Sequence, residues 1–393
     1  MNTRGAYWLR QAECRIEDFA KLVDRSTKPA DVPLAAEIRA NVPVYDCDAV
    51  RGWIGSPEKR RAVMAEWGEV MTRGAGLVVL GGAFSGADDI AAVDAVTAQF
   101  KALIAEQRAS NKASGDHFAK PGANDRIWNA LEKLCLRDPQ AFAAYYANPI
   151  IALVSEAWLG PAYQITSQVN VVNPGGAAQS PHRDYHLGFQ SAEVAARYPA
   201  HVHRLSPALT LQGAVAHNDM PIESGPTLYL PYSQTYEPGY LAWQLPEFAA
   251  HFEGHHMQLP LQRGDAVFFN PALFHAAGHN RSADIHRMAN LLQVSSAYGR
   301  AMETVDRTRM SIALYPVLAD ARAAGTLNEA ACANAIAACA EGYAFPTNLD
   351  RDPPIGGLAP ASPQDLMHQA LREGWSPQDF ERAARAQAER RFS

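Results

Sequence analysis

Two histidines and one aspartate, far apart in the chain, constrain the fold more than any other feature of this sequence. His182 and Asp184 are separated by one residue, and His275 follows 91 positions after Asp184. In an extended segment alternate side chains point to the same face, so His182 and Asp184 can reach one metal ion. Two imidazoles and one carboxylate form a facial triad, which suits non-haem Fe(II) because open positions remain for a chelating co-substrate and dioxygen. The sequence therefore predicts a fold that brings His275 to this pair, and oxidative chemistry at the metal.

Strand patterns flank both parts of this set. Residues 163–173 alternate polar and apolar side chains, and a Pro-Gly-Gly turn closes the pattern. Residues 264–271 are typical of a turn followed by a short apolar strand, which would deliver His275 to a strand end. His279, four residues later, is the rival second histidine ligand. We favour His275, because His279 stands among turn residues.

Further motifs continue the pattern through the middle of the chain. They are His182-Arg183-Asp184, Glu223–Thr227 with Leu230–Ser233, Gly264-Asp265, and His275–Asn280 followed by Arg287. In these motifs the sequence resembles the phytanoyl-CoA dioxygenase family of Fe(II)/2-oxoglutarate oxygenases, and the similarity extends more faintly from Gly76 to about Gln293. The chain departs from the family pattern at Ala277, where many relatives have a hydroxyl residue, and at Gln234, where they have histidine.

The resemblance implies a mixed α+β fold with a double-stranded β-helix (jelly-roll) core flanked by N- and C-terminal helices. It also implies a dioxygenase that uses Fe(II), 2-oxoglutarate and O2 to hydroxylate an unactivated C–H bond of a small organic metabolite, releasing succinate and CO2. Desaturation or ring closure at the same iron is the alternative within oxidation. Two other classes stay open, a zinc hydrolase with the same three ligands and a non-catalytic jelly-roll binding protein.

The distal carboxylate of 2-oxoglutarate needs a fixed cation, and Arg287 is the candidate. A guanidinium binds a carboxylate through two parallel hydrogen bonds, and the spacing from His275 to Arg287 leaves room for a turn and a return strand. Gln168, Asn170 and Gln212 are further candidates for hydrogen bonds to 2-oxoglutarate or substrate. Polar side chains that share the inner face of a barrel usually line its pocket.

Composition agrees with a globular enzyme and excludes several other classes. The formal net charge of −6 argues against nucleic acid or an anionic membrane as a partner, and no apolar run reaches transmembrane length. The five cysteines have no CxxC spacing, which indicates free thiols in a reducing compartment. The first residues lack the apolar core of a signal peptide, so we expect a cytoplasmic protein that acts on a small molecule. The oligomeric state does not follow from the sequence.

The chain is expected to have three parts. Residues 1–55 form an N-terminal arm, residues 56–300 form the oxygenase domain with its jelly-roll core at about 163–294, and residues 301–393 form a helical extension that packs on the core. Ser56 followed by Pro57 predicts a capped helix start. We further expect a strand over 77–80, a polar loop over 112–126, and helices over 88–108, 127–136, 140–159, 310–324, 328–340 and from 377.

Overall fold

The computed structural model describes residues 7–110 and 122–393 of the chain. Its strands are β1 (Glu37–Arg39), β2 (Val42–Asp46), β3 (Leu77–Gly81), β4 (Asn124–Ile127), β5 (Gln164–Val172), β6 (Thr210–Ala216), β7 (Leu228–Leu230), β8 (Ala266–Phe269), β9 (Phe274–Ala276) and β10 (Arg287–Ser295). Its helices are α1 (Ile16–Val23), α2 (Cys47–Ile54), α3 (Pro57–Thr72), α4 (Gly86–Ala109), α5 (Ala130–Arg137), α6 (Pro139–Tyr146), α7 (Pro149–Leu159), α8 (Ala192–Ala195), α9 (Ala200–Ala208), α10 (Gly239–Ala242), α11 (Pro246–His255), α12 (Arg307–Ala323), α13 (Glu329–Cys339), α14 (Pro363–Glu373) and α15 (Pro377–Arg390).

The strands form one large mixed sheet and one small antiparallel sheet. The large sheet has eight strands in the order β1-β2-β3-β8-β6-β10-β5-β4, in which only the β2–β3 pair is parallel. The small sheet pairs β7 with β9, the strand that contains His275. The expected mixed α+β class is therefore confirmed.

Strand β10 separates the helical core of the molecule from its cavity. Met288, Leu292 and Val294 face the core and are buried, since alternate side chains of a strand point to opposite faces. Asn290, on the same face, lies near the hydroxyls of two buried tyrosines of α6. The opposite face begins with Arg287 and lines the cavity described below. One strand therefore supplies both the packing and the wall of the pocket.

Most helices lie where the sequence predicts them. Ser56 caps α3 by accepting a hydrogen bond from the backbone of Lys59. The single helix expected over 140–159 is wrong, because α6 ends at Tyr146 and the side chain of Asn148 caps the next helix, which starts at Pro149.

Other expectations need correction around the strands. The polar loop predicted over 112–126 is wrong at its end, because Asn124–Ile127 pairs with β5 as strand β4, and this delays the next helix to Ala130. The earlier part of that loop, residues 112–121, lies outside the described residues. The stretch 163–294 also contains helices α8 to α11, which its strand-like alternation did not predict.

The segments at either end of the chain contact the sheet. Residues 37–46, within the predicted arm, contribute β1 and β2 to the edge of the large sheet. At the start of α12 the buried Arg307 donates hydrogen bonds to the carbonyls of Ile165 on β5 and Cys339 on α13. None of the helices in residues 7–110 and 122–393 combines the length and apolar surface needed to cross a membrane.

Candidate metal centre

The backbone places His182 and Asp184 directly beside β9. His182 and His275 exchange backbone hydrogen bonds of 3.0 and 3.2 Å, as in an antiparallel bridge. The amide of Asp184 donates to the carbonyl of Pro271 at 3.0 Å. The segment from His182 to Asp184 is therefore extended along its neighbour, and both side chains reach the same side, as the spacing predicts.

The three side chains converge on one point. The Nε2 atom of His275 lies 3.3 Å from Oδ2 of Asp184, and Nε2 of His182 lies 3.7 Å from Oδ1. Within the described part of the chain, this is the one group of three or more histidine, cysteine or acidic residues whose ligand atoms all lie within 4.8 Å of each other. Two nitrogens and one carboxylate at this separation fit a divalent transition metal with open coordination positions.

Backbone carbonyls fix the orientation of both imidazoles. Nδ1 of His182 lies 2.9 Å from the carbonyl oxygen of Ser180, and Nδ1 of His275 lies 2.9 Å from that of Leu273. Because a carbonyl only accepts, each Nδ1 carries the proton and each Nε2 presents its lone pair. Both histidines are therefore held in the tautomer that a metal requires.

The protonation states also suit metal binding. Burial lowers the pKa of His182, which keeps its imidazole neutral. Burial by itself would raise the pKa of Asp184, but His182, His275 and a hydrogen bond from Gln212 together lower it well below its usual range. The Nε2 of Gln212 donates to Oδ2 of Asp184 at 2.5 Å. Asp184 is thus an anion with one oxygen oriented by a fixed donor.

The triad opens into a cavity of about 600 Å³. Arg287, Ala289, Leu291 and Gln293 line it from alternate positions of β10. At roughly 3.3 Å per residue, Arg287 and Gln293 are about 20 Å apart along the strand. The cavity therefore has a cationic end and an amide-rich end.

Arg287 is a buried cation with no acidic partner among the residues that the structure describes. It is 8% exposed, and no described residue forms a hydrogen bond with its Nε. Burial lowers the pKa of Arg287 to about 10, while the neighbouring Tyr229 acts in the opposite direction. A lone buried guanidinium is costly unless an anion binds it. This arrangement fits the carboxylate of a ligand that enters the cavity.

The remaining predicted residues line the same cavity at different positions. Gln212 contacts Asp184, whereas Gln168 accepts a hydrogen bond from Arg126 and donates to Gln293 at 3.3 Å. Asn170 lines the wall between, and its amide oxygen accepts a hydrogen bond from Asn124. The rival histidine at position 279 is exposed and outside the metal cluster.

Sequence reasoning missed several residues of this cavity. Thr227 and Tyr229 line its wall together with Arg287, and Gln293 lines the opposite end. Gln293 was detectable, because an even spacing from Arg287 along one strand places it on the same face. Tyr229 carries no such signal, since β7 is placed at the site by its pairing with β9 and by a bridge from Tyr229 to Met257.

The two departures from the family pattern have different surroundings. Ala277 lines the cavity and offers no hydroxyl there. Gln234 instead donates to the carbonyl of Gly74 at 2.9 Å, away from the cavity lining. Its amide packs on Gly76, where a Cβ atom would lie 2.5 Å from Oε1 and the φ angle is +85°. Gln234 therefore has a structural role, because its amide hydrogen-bonds the backbone of Gly74 and packs against Gly76.

The family is established by sequence comparison. The model of the phytanoyl-CoA dioxygenase (PhyH) family matches residues 70–289, which is more than half of the chain. The chain therefore belongs to this family, which comprises Fe(II)- and 2-oxoglutarate-dependent oxygenases. The resemblance predicted from the motifs is confirmed. A search of the curated proteins finds no significant match.

Solved structures give more distant likenesses. The chain is similar to the non-heme alpha-ketoglutarate-dependent epimerase SnoN from nogalamycin biosynthesis, with 20% identity, 60% of this chain and 82% of SnoN covered, and a TM-score of 0.42. For AviO1 from Streptomyces viridochromogenes Tue57 the identity is 18%, the coverage 61% and 97%, and the TM-score 0.43. For the carbocyclase SnoK from nogalamycin biosynthesis the identity is 18%, 58% of this chain and 81% of SnoK are covered, and the TM-score is 0.39. Likeness of this size carries no information on the activity of this chain.

Proposed function

We propose that this protein is an Fe(II)- and 2-oxoglutarate-dependent dioxygenase that hydroxylates an unactivated C–H bond of a small organic metabolite. The observation that carries the proposal is the presence, in one cavity, of the His182, Asp184 and His275 cluster and the uncompensated cation Arg287. The cluster suits a metal with open positions. The cation suits a dicarboxylate that binds the metal at its other end.

Each of these residues has a defined task in the proposal. His182, Asp184 and His275 hold Fe(II), and Gln212 keeps the Asp184 carboxylate in place. When bound, the iron supplies oxidative decarboxylation of 2-oxoglutarate by O2, giving succinate, CO2 and the oxidant for the substrate. Arg287 binds the distal carboxylate of 2-oxoglutarate, and Asn170 is in place to contact either 2-oxoglutarate or the substrate. The apolar wall of Ala289 and Leu291 keeps water away from the space between.

The composition of the cavity wall supports an oxygenase over a zinc hydrolase. A hydrolase needs a carboxylate as general base beside the metal-bound water. Of the described residues that line the cavity, Asp184 alone is acidic, and it belongs to the metal cluster. A hydrolase would also have no use for the buried Arg287.

We also propose the architecture expected from the sequence. The large sheet and the β7–β9 pair would form the two sides of a jelly roll around the triad, within an oxygenase domain over residues 56–300. Residues 1–55 would form an arm and residues 301–393 a helical extension. The contacts of β2 with β3 and of Arg307 with Ile165 support close packing of both segments on this domain.

The proposal is tested by metal analysis and by turnover. Protein purified without oxygen should bind about one equivalent of iron, and a screen of small metabolites with Fe(II), ascorbate and 2-oxoglutarate should find compounds that stimulate succinate formation. The product of hydroxylation is heavier than its substrate by one oxygen, whereas desaturation or ring closure removes two hydrogens. Zinc binding without consumption of 2-oxoglutarate would refute the proposal, and so would the absence of any bound metal.

A further inference from the structure

Three glutamines on neighbouring strands lie across the end of the cavity that is opposite Arg287. Gln212 lies on β6, Gln293 on β10 and Gln168 on β5, and all three line the cavity. Gln212 and Gln293 are directly opposite each other in the β6–β10 register. Their Cβ atoms are therefore about 5 Å apart on the same face. These residues form one polar row, which we call the glutamine row.

Charged groups at both ends fix which way each amide points. At one end the Arg126 guanidinium, which only donates, binds the oxygen of Gln168. The nitrogen of Gln168 then donates to the oxygen of Gln293 at 3.3 Å. At the other end the Asp184 carboxylate only accepts, so it binds the nitrogen of Gln212. The orientation of all three amides is thus determined by chemistry.

This polarity leaves an acceptor and a donor side by side in the middle of the row. The Oε1 atom of Gln212 is buried and has no hydrogen-bond partner among the described residues. The Oε1 atom of Gln293 accepts from Gln168, so its Nε2 is the donor that remains on the side of Gln212 and Tyr185. The hydroxyl of Tyr185 is also buried, with the Gln293 amide beside it and no group of the described residues within full hydrogen-bond distance. Such groups are costly in a native protein unless a ligand or water satisfies them.

We propose that the glutamine row binds a hydroxyl group of the substrate next to the carbon that is oxidised. A hydroxyl donates one hydrogen bond and accepts two, which matches the acceptor of Gln212 and the donors of Gln293 and Tyr185. The substrate is then an oxygenated molecule rather than an unsubstituted hydrocarbon chain. This inference deepens the proposed function, because it assigns the substrate end of the same cavity.

An apolar chain at this position would be strongly disfavoured. It would bury Gln212, Gln293 and Tyr185 without replacing the hydrogen bonds that these groups make to water. A site built to bind a hydroxyl rejects the analogue that lacks it far more strongly than an apolar pocket rejects an added group. The glutamine row therefore determines substrate specificity by disfavouring compounds that lack the hydroxyl group.

Binding of matched compounds tests this inference. The probes are methyl glucoside, trans-hydroxyproline and cholate, each paired with its analogue lacking one hydroxyl, together with octanoate. Titration calorimetry is done under nitrogen on the full chain with Mn(II) and 2-oxoglutarate. For the best-bound pair, the hydroxylated member should bind about 10- to 100-fold more tightly, which corresponds to about 1.4–2.8 kcal/mol.

Variants of Gln293 locate the discrimination in the row. Gln293→Leu removes the donor, and Gln293→Glu removes it while keeping an acceptor for Gln168. Both variants should reduce the ratio of dissociation constants between the two members of the pair to about threefold or less. Gln369→Leu, at an exposed position of α14, should leave this ratio unchanged. Equal binding within every pair, an unchanged preference in both Gln293 variants, or tightest binding of octanoate would overturn the inference. Repeating the titrations without metal and 2-oxoglutarate distinguishes a failure of this inference from a failure of the proposed iron chemistry, because the row itself contains no metal ligand.

Discussion

Replacing Arg287 tests the assignment of the cationic end most directly. A charge-assisted contact with a carboxylate contributes about 1.5–3 kcal/mol, and 1.4 kcal/mol corresponds to a tenfold change. Arg287→Ala should therefore raise the apparent KM for 2-oxoglutarate roughly 10- to 100-fold. Arg287→Lys should recover only part of this loss, because an ammonium group cannot form two parallel hydrogen bonds.

The stability of Arg287 variants should change in the opposite direction from their affinity. Burial lowers the pKa of Arg287 from 12.5 to about 10, so the side chain stays charged at pH 7, at a cost of roughly 3 kcal/mol to the folded state. Arg287→Met removes this charge and keeps an apolar chain of similar length. Without 2-oxoglutarate, its free energy of unfolding should be no lower than that of the wild type. At the same concentration of 2-oxoglutarate, the wild type should gain more stability than Arg287→Met, because its affinity for the ligand is higher.

The assay combines thermal unfolding with steady-state kinetics. Tm is measured for both proteins with and without 2-oxoglutarate under nitrogen, and KM is obtained from succinate formation. Arg281→Ala is the matched control, because Arg281 is exposed and lies shortly before Arg287 in the chain. An unchanged KM in Arg287→Ala and Arg287→Lys, or an equal gain in Tm for Arg287→Met and wild type, would show that 2-oxoglutarate binds elsewhere.

Three further predictions concern the metal ligands, the packing and the pH dependence. His182→Ala, Asp184→Ala and His275→Ala should each lose stoichiometric iron by metal analysis, while His279→Ala should retain it. Iron retained in His275→Ala and lost in His279→Ala would make His279 the ligand in place of His275. Gly239→Ala should lower the free energy of unfolding in urea by at least about 2 kcal/mol, since its Cβ would lie 1.9 Å from Cζ of the buried Arg183. Gly254→Ala, on α11, should not lower the free energy of unfolding, because no atom of the described neighbouring residues lies within 4 Å of the added Cβ. Similar values for both variants would contradict this packing. Burial lowers the pKa of His217 from 6.5 to about 3. Below pH 6.5 the unfolded chain therefore binds a proton at this residue that the folded chain does not bind, and the folded state loses stability. His217→Gln should therefore lose less stability than wild type between pH 7 and 5, by up to about 2 kcal/mol, with His279→Gln unchanged from wild type.

The sequence alone was sufficient to predict that His182, Asp184 and His275 converge, and to predict the strands beside them. Alternation over 163–173 and the apolar run before His275 encode strands directly, because side-chain period and backbone geometry are local properties. The spacing of His182 and Asp184 likewise encodes a shared face. The position of Arg287 at the start of a return strand followed from the same logic, although its role as the 2-oxoglutarate ligand is still a prediction.

Only the tertiary structure decided how the amides and charges combine. Gln168, Gln212 and Gln293 come from separate strands, and their pairing depends on the register between β6, β10 and β5. The orientation of each amide depends on charges at Arg126 and Asp184, which are distant in the chain. Burial, which makes Arg287 costly without an anion, is a property of the whole packed molecule. A sequence states which groups exist and which face of a strand they share, whereas the fold determines which of them are left without a partner.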